Sequence, residues 1–207
     1  MKHNLDWDWA VSCKKVENPV IPVINYFIEL FNYKKYLELG LQHGLTYNYI
    51  DCESKESVDK ESKFKPTYVT TTDEFFKSLE KNKKWDAIFI DAYHEKEYVK
   101  RDIVNSLKHL NKNGIIFTHD VNPNHEELFK KNFCYNAWEA FVFFRQRQPN
   151  LFMFTFPFGH LGAIRRGKQK LWTGGIEPTW DFFNDNRKEM MNQLTKEEFF
   201  NMFKETK

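Results

Sequence analysis

The sequence is poor in several things, and each absence narrows what the chain can be. Cysteine occurs three times in 207 residues, at Cys13, Cys52 and Cys134. An odd, scattered set without metal-type spacing argues against a disulfide framework or a cysteine-rich zinc module. Long apolar runs are missing too, and stretches such as 87–90 fall far short of a membrane span. The opening Met-Lys-His-Asn-Leu-Asp-Trp-Asp-Trp has no apolar core and carries acids where a signal peptide does not. The chain is therefore expected to be soluble and cytoplasmic, with no membrane partner. Charge of one sign is also lacking, with 31 basic against 29 acidic side chains and a formal net charge of +2. That balance sets up no field to draw nucleic acid. No repeat, low-complexity segment or interior linker divides the sequence. Residues 1–207 read as one domain, with an N-terminal helical segment at 1–34, a core at 35–167 and a Trp-containing tail at 168–207.

What is present alternates between strand-like and helix-like patterns, the mark of an α/β domain. Residues 20–31 place Pro22 early and space their apolar residues as an amphipathic helix. Strands are expected at 35–39, 57–59, 67–70, 85–90 and 115–118. The run Trp85-Asp-Ala-Ile-Phe-Ile90 is the clearest, apolar enough for burial on both faces of a parallel sheet. Helices are expected to begin at Thr46, to span 74–81 behind an Asp73 cap, and to span 95–110, ended by Asn113-Gly114. A further helix at 136–146 precedes a hairpin of strands 151–156 and 161–165, joined across Pro157-Phe-Gly-His160. The tail is expected to be polar, with a helix at 196–203. Its Trp172 and Trp180 suggest docking on the domain, a lid, or a contact in a homo-oligomer.

The chemistry gathers around the loop Glu38-Leu-Gly-Leu-Gln-His-Gly44, which follows the first strand. Strand, glycine turn and helix together present free backbone N–H groups to a ligand. Gly40 lets the chain turn sharply, Gly44 permits close backbone approach, and Thr46 can cap or contact a ligand. Glu38 is a carboxylate within an apolar strand, costly unless paired or ligand-directed. Asp59 follows Gly40 at close to the ~20-residue spacing at which a second-strand acid meets a ribose hydroxyl. Asp51 and Glu53 are its rivals.

Glu38-x-Gly40-x-x-x-Gly44-x-Thr46 resembles the first motif of class I S-adenosylmethionine-dependent methyltransferases. Trp85-Asp-Ala-Ile-Phe-Ile-Asp-Ala-Tyr-His94, with Tyr98-Val-Lys-Arg-Asp102, resembles the family's fourth motif and its next helix. Asn113-Gly-Ile-Ile-Phe-Thr-His-Asp-Val-Asn-Pro123 is similar to the following strand and loop, and Gly162-Ala-Ile-Arg-Arg-Gly167 to the last strand. The nearest subgroup is the small bacterial and viral enzymes related to sugar and small-molecule O-methyltransferases. The resemblance implies a Rossmann-like seven-stranded sheet, mostly parallel with an antiparallel last strand and helices on both faces. It further implies S-adenosylmethionine as cofactor and methyl transfer to an oxygen of a sugar-containing or other small polar acceptor. Glu38, Gly40, Gly44 and Thr46 would surround the methionine and ribose, Asp59 would bind ribose hydroxyls, and Thr72 and Asp73 would approach the adenine. Lys60 stands where relatives commonly have proline.

Asp91 and His94 follow one strand, and His119 and Asp120 follow another, so adjacent parallel strands would bring all four to one cleft. A histidine there can deprotonate an acceptor hydroxyl. Alternatively a divalent ion such as Mg2+, held by Asp91 and Asp120, can lower the hydroxyl pKa. The His119-Asp120 pair is softer than Mg2+ usually selects, which tips the reading towards the histidine. Asp91 and Asp120 can also be plain caps, and His160 is a loop residue of little promise. Two other functions stay open: a nucleotide-binding oxidoreductase, although Gln42 replaces the second glycine of its fingerprint, and an inactive cofactor-binding or assembly module.

Overall fold

The computed structural model describes residues 3–12 and 18–203; Cys13 lies outside them. Seven strands form one sheet in the order β3-β2-β1-β4-β5-β7-β6. These are β1 Lys35–Leu39, β2 Ser54–Asp59, β3 Tyr68–Val69, β4 Trp85–Ile90, β5 Leu110–Thr118, β6 Leu151–Thr155 and β7 Gly162–Arg166. β1 to β5 pair in parallel, and β7 runs antiparallel between β5 and β6. This is the Rossmann-like sheet with an antiparallel last strand that the motifs imply.

Both faces are covered because the central strands bury apolar side chains on either side of the sheet. In β4, Ile88 and Ile90 face one hydrophobic cluster while Ala87 and Phe89 face another. The first cluster is closed by α3 Thr72–Ser78, α4 Lys96–His109, α5 Ala137–Arg147 and α6 Trp180–Met190. They contribute Phe75, Ile103, Phe141 and Phe183, all 1% exposed or less. The second is closed by α1 Trp7–Ser12, α2 Val20–Phe31 and α7 Lys196–Met202, through Trp7, Phe27 and Phe199. Burying each such ring contributes about 1.5–3 kcal/mol.

Four elements depart from the sequence-based expectation. The helix expected from Thr46 is a single 3-10 turn, Tyr47–Tyr49, because the chain enters β2 at Ser54. Tyrosine and asparagine are weak helix formers, so propensity does not resist this. Thr71, not Asp73, caps α3, accepting a hydrogen bond from the Glu74 N–H at 3.3 Å. Asn113-Gly114 does not end α4; it lies inside β5, which starts at Leu110 and whose pairing with β4 shifts register between Trp85 and Ala87. Gly114 is needed there, since a β-carbon would stand 2.5 Å from the Asp86 carbonyl oxygen. The tail holds the unexpected helix α6, which docks on the domain. Trp180 packs on Phe129 and Phe183, with centroids 5.6 and 6.1 Å apart, and Phe183 packs on Trp138 at 5.1 Å. The buried Arg145 guanidinium reinforces this by donating to the carbonyls of Lys170, Glu189 and Met190. No helix among the described residues is long and apolar enough to cross a membrane.

Candidate active site

The carboxyl ends of β1, β2, β4 and β5 lie side by side, and the loops leaving them stay tied to the sheet. The N–H groups of Gly40, Asp91 and His119 donate to the carbonyls of Val58, Leu39 and Ile90 at 2.8–2.9 Å. Each loop therefore starts from a fixed point. Gly40 takes φ +89°, and a β-carbon on it would stand 2.3 Å from the Asp91 carbonyl oxygen. Only glycine fits where the first loop crosses the backbone leaving β4.

A cavity of about 660 Å³ opens at this end of the sheet, within the size range of small-ligand sites. Gly40, Gln42 and His43 form one wall, Asp59 and Glu61 the next, Thr70 to Asp73 the third, and Ala92, Tyr93 and Tyr98 the last. Asp59 sits at the end of β2, where Oδ2 accepts from Leu41 and Gln42 N–H at 2.9 Å each and Oδ1 from Glu61 N–H at 2.8 Å. The acid thus organises the glycine loop while lining the cavity. Asp51 and Glu53 precede β2, at its opposite end, and face His3 and Lys34. Thr72 and Asp73 line the wall, and Asp73 pairs with Arg101 of α4 at 3.2 Å.

Glu38, Gly44 and Thr46 are not among the lining residues. Glu38 is buried and accepts from the Tyr36 hydroxyl at 2.5 Å. Burial, with the nearby Asp91 charge adding to it, pushes its carboxyl up to about 8. Thr46 accepts from Asn18 Nδ2 at 3.2 Å, and Gly44, at φ +69°, shapes the turn behind the wall.

Beside the cavity, the four candidate catalytic residues do converge. His119 Nδ1 lies 3.0 Å from Asp91 Oδ1 and 3.5 Å from Asp120 Oδ1. His94 Nδ1 lies 2.9 Å from Asp120 Oδ2, and His94 Nε2 3.8 Å from Asp91 Oδ1. Neither acid is a helix cap, since α4 starts behind Glu95 and Asp120 is followed by turns. Despite burial, the facing imidazoles hold the Asp91 carboxyl below, and the Asp120 carboxyl well below, the usual range. The acids in turn raise His94 to about 10 and His119 well above its ordinary value. Asp91, His94 and Asp120 each offer a ligand atom, all within 4.8 Å of one another, so the cluster can hold either protons or a cation.

Residues 53–121 match the family model for a methyltransferase domain. The methyltransferase PaMTH1 of Podospora anserina, bound to S-adenosylhomocysteine, has the same fold. It is 16% identical with a TM-score of 0.59, over 78% of this chain and 86% of that one. This is the fold of class I methyltransferases.

The matched segment contains Asp59, Asp91, His94, His119 and Asp120. An O-methyltransferase of Bacillus cereus in complex with S-adenosylhomocysteine is 14% identical with a TM-score of 0.54, over 80% of this chain and 84% of that one. The O-methyltransferase TomG of Streptomyces achromogenes, involved in tomaymycin synthesis and bound to S-adenosylmethionine, is 11% identical with a TM-score of 0.53. That match covers 70% of this chain and 78% of that one. No curated protein matches the sequence.

Two residues beside the cluster stand apart from the sequence reading, which gave His160 little weight and Cys134 no site role. His160 brings Nδ1 to 3.7 Å from Asp120 Oδ1, and the buried Cys134 thiol donates to the same oxygen at 3.1 Å. His160 was legible in principle. Because β7 pairs antiparallel with β5, with Gly162 opposite Thr118, the residues just before Gly162 must lie beside His119. Cys134 lies in an irregular segment before α5 and carries no pattern that could have placed it.

Proposed function

We propose that this chain transfers the methyl group of S-adenosylmethionine to a hydroxyl oxygen of a small polar acceptor, with sugar-containing molecules the favoured class. One observation carries the reading: a cavity bounded by Gly40, Asp59 and Thr72 adjoins the cluster of Asp91, His94, His119 and Asp120. Asp59 binds the ribose hydroxyls, Thr72 and Asp73 face the adenine, and the Tyr93–Tyr98 ring pair, 4.8 Å apart, borders it. Gly40 keeps the loop low enough for the sulfonium methyl to reach the cluster. Glu38, Gly44 and Thr46 support this loop from behind.

Transfer forms a carbon–oxygen bond as the carbon–sulfur bond breaks, and the acceptor proton must leave. His94 or His119, each oriented by a carboxylate, takes that proton in its neutral form, whose share grows as pH rises because the acids hold both rings protonated at lower pH. A cation held by Asp91 and Asp120 would serve the same end by lowering the hydroxyl pKa. The fingerprint with Gln42 in place of a glycine weighs against a dinucleotide oxidoreductase.

The test is incubation with methyl-labelled S-adenosylmethionine and a panel of glycosides, sugar nucleotides and phenols. Label entering a glycoside or sugar nucleotide as an alkali-stable ether supports the reading. Transfer confined to phenols, or to nitrogen acceptors added as controls, overturns the sugar assignment.

A further inference from the structure

His160 belongs to none of the motifs and does not line the cavity, yet its ring faces the Asp120 carboxylate. It sits at φ +49° in the β6–β7 hairpin. Its carbonyl accepts from the N–H groups of Val121 and Asn122, at 3.0 and 3.2 Å, which fixes the hairpin over the loop after β5. Its Nε2 lies 3.1 Å from Asn124 Oδ1, an acceptor, so the Nε2 proton is directed there and Nδ1 is the ring atom turned towards Asp120. That Nδ1 stands 3.7 Å from Asp120 Oδ1. A cation placed between this nitrogen and this oxygen would engage both.

The same oxygen lies 3.5 Å from His119 Nδ1, and His119, Asp120 and His160 offer ligand atoms all within 4.8 Å of one another. Donors ~2.0–2.2 Å from an ion in tetrahedral geometry stand roughly 3.3–3.6 Å apart. The separations of 3.5 and 3.7 Å need only small adjustments to reach that arrangement. Outer support is already built. Cys134 donates to Asp120, and Asn124 orients His160, while the Asp91 carboxylate beside His119 Nδ1 would give up that contact to the ion. Histidines and carboxylates held by second hydrogen bonds are the usual surroundings of a metal.

We propose that His119, Asp120 and His160 bind a divalent transition-metal ion of the zinc class in preference to Mg2+. Two imidazoles and a carboxylate supply the nitrogen that such ions favour, whereas Mg2+ takes oxygen donors and keeps its water. Three protein ligands leave a position open, and its use by an acceptor oxygen rests on the methyl-transfer reading above. The binding itself does not.

The experiment titrates untagged, chelator-treated full chain with ZnCl2 and with MgCl2 by calorimetry, beside a titration of the same sample with S-adenosylhomocysteine. One Zn2+ per chain is expected, bound at least about 100-fold tighter than Mg2+. His160→Ala should weaken Zn2+ at least about tenfold and leave S-adenosylhomocysteine affinity unchanged, which also shows that the variant folds. His160→Asn, a polar residue of similar reach, repeats the test should the alanine variant not fold. With Co2+ as probe, the visible ligand-field bands should be lost or altered in either variant. Zn2+ binding that ignores both substitutions, or Mg2+ binding as tight as Zn2+, overturns the proposal. If cofactor product still binds in that case, the methyl-transfer reading survives; Zn2+ binding without it shows the converse.

Discussion

Gly40 and Asp91 touch backbone to backbone: a β-carbon on Gly40 would lie 2.3 Å from the Asp91 carbonyl oxygen. This contact joins the glycine loop after β1 to the backbone leaving β4. Gly40→Ala must displace one of them, and it adds the left-handed strain of a non-glycine residue, about 1–2 kcal/mol. Together these should lower the thermal midpoint by at least about 5 °C, at roughly 2–4 °C per kcal/mol for a chain of this size. Thermal denaturation followed by circular dichroism checks it, and an unchanged midpoint contradicts the contact.

Asp59 is predicted to act on binding. Its carboxylate holds the Leu41 and Gln42 N–H groups and faces the cavity. Asp59→Ala removes charge-assisted hydrogen bonds worth ~1.5–3 kcal/mol each, so S-adenosylhomocysteine should bind at least about tenfold more weakly. Asp51→Ala, at the far end of β2, should leave the affinity as it was. Calorimetry on the two variants separates them.

Asp120 is predicted to act on turnover. Asp120→Asn takes the charge from the His94 and His119 pairs but touches no wall of the cavity beside Gly40 and Asp59. The methyl-transfer rate should fall about 100-fold or more, the usual range for losing acid–base assistance, while S-adenosylhomocysteine affinity stays close to wild type. A comparable loss of both would mean that the cavity and the cluster are one unit.

Asp102 of α4 is 2% exposed, and one of its carboxylate oxygens has no hydrogen-bond partner. Burial raises its carboxyl to about 7, with Asp73 adding to the rise and Thr72 and Arg101 opposing it. The folded state therefore holds a proton that the unfolded chain has lost. Stability from this group is full below pH ~4 and declines as pH rises through about 7. Asp102→Asn should flatten that decline and stabilise the protein at pH 8, by an amount on the order of 2–4 kcal/mol. Urea denaturation at pH 5 and pH 8 measures it; equal slopes in the two proteins would contradict the account.

Much of this arrangement was legible because strand periodicity and motif order report the same thing. The apolar run 85–90 announced a strand buried on both faces, and the acids after it and after β5 had to share one end of a parallel sheet. The short turn after Gly44 was not legible, since only the nearby start of β2 stops a helix there. Asn113-Gly114 read as a helix stop because the pair usually breaks structure, whereas here Gly114 admits the Asp86 carbonyl into the β4–β5 pairing. Helix α6 was hidden because only Phe183 and Met190 of its residues are buried. His160 was given little weight because loop histidines are common, and its partner lies 40 residues away in sequence, brought near by the antiparallel strand.

The most direct test of the central claim is calorimetric titration of the full chain with S-adenosylhomocysteine, followed by NADH as competitor. The account predicts one molecule bound per chain in the cavity beside Gly40 and Asp59, undisturbed by NADH. No heat at millimolar S-adenosylhomocysteine, or NADH binding that it cannot displace, would contradict it.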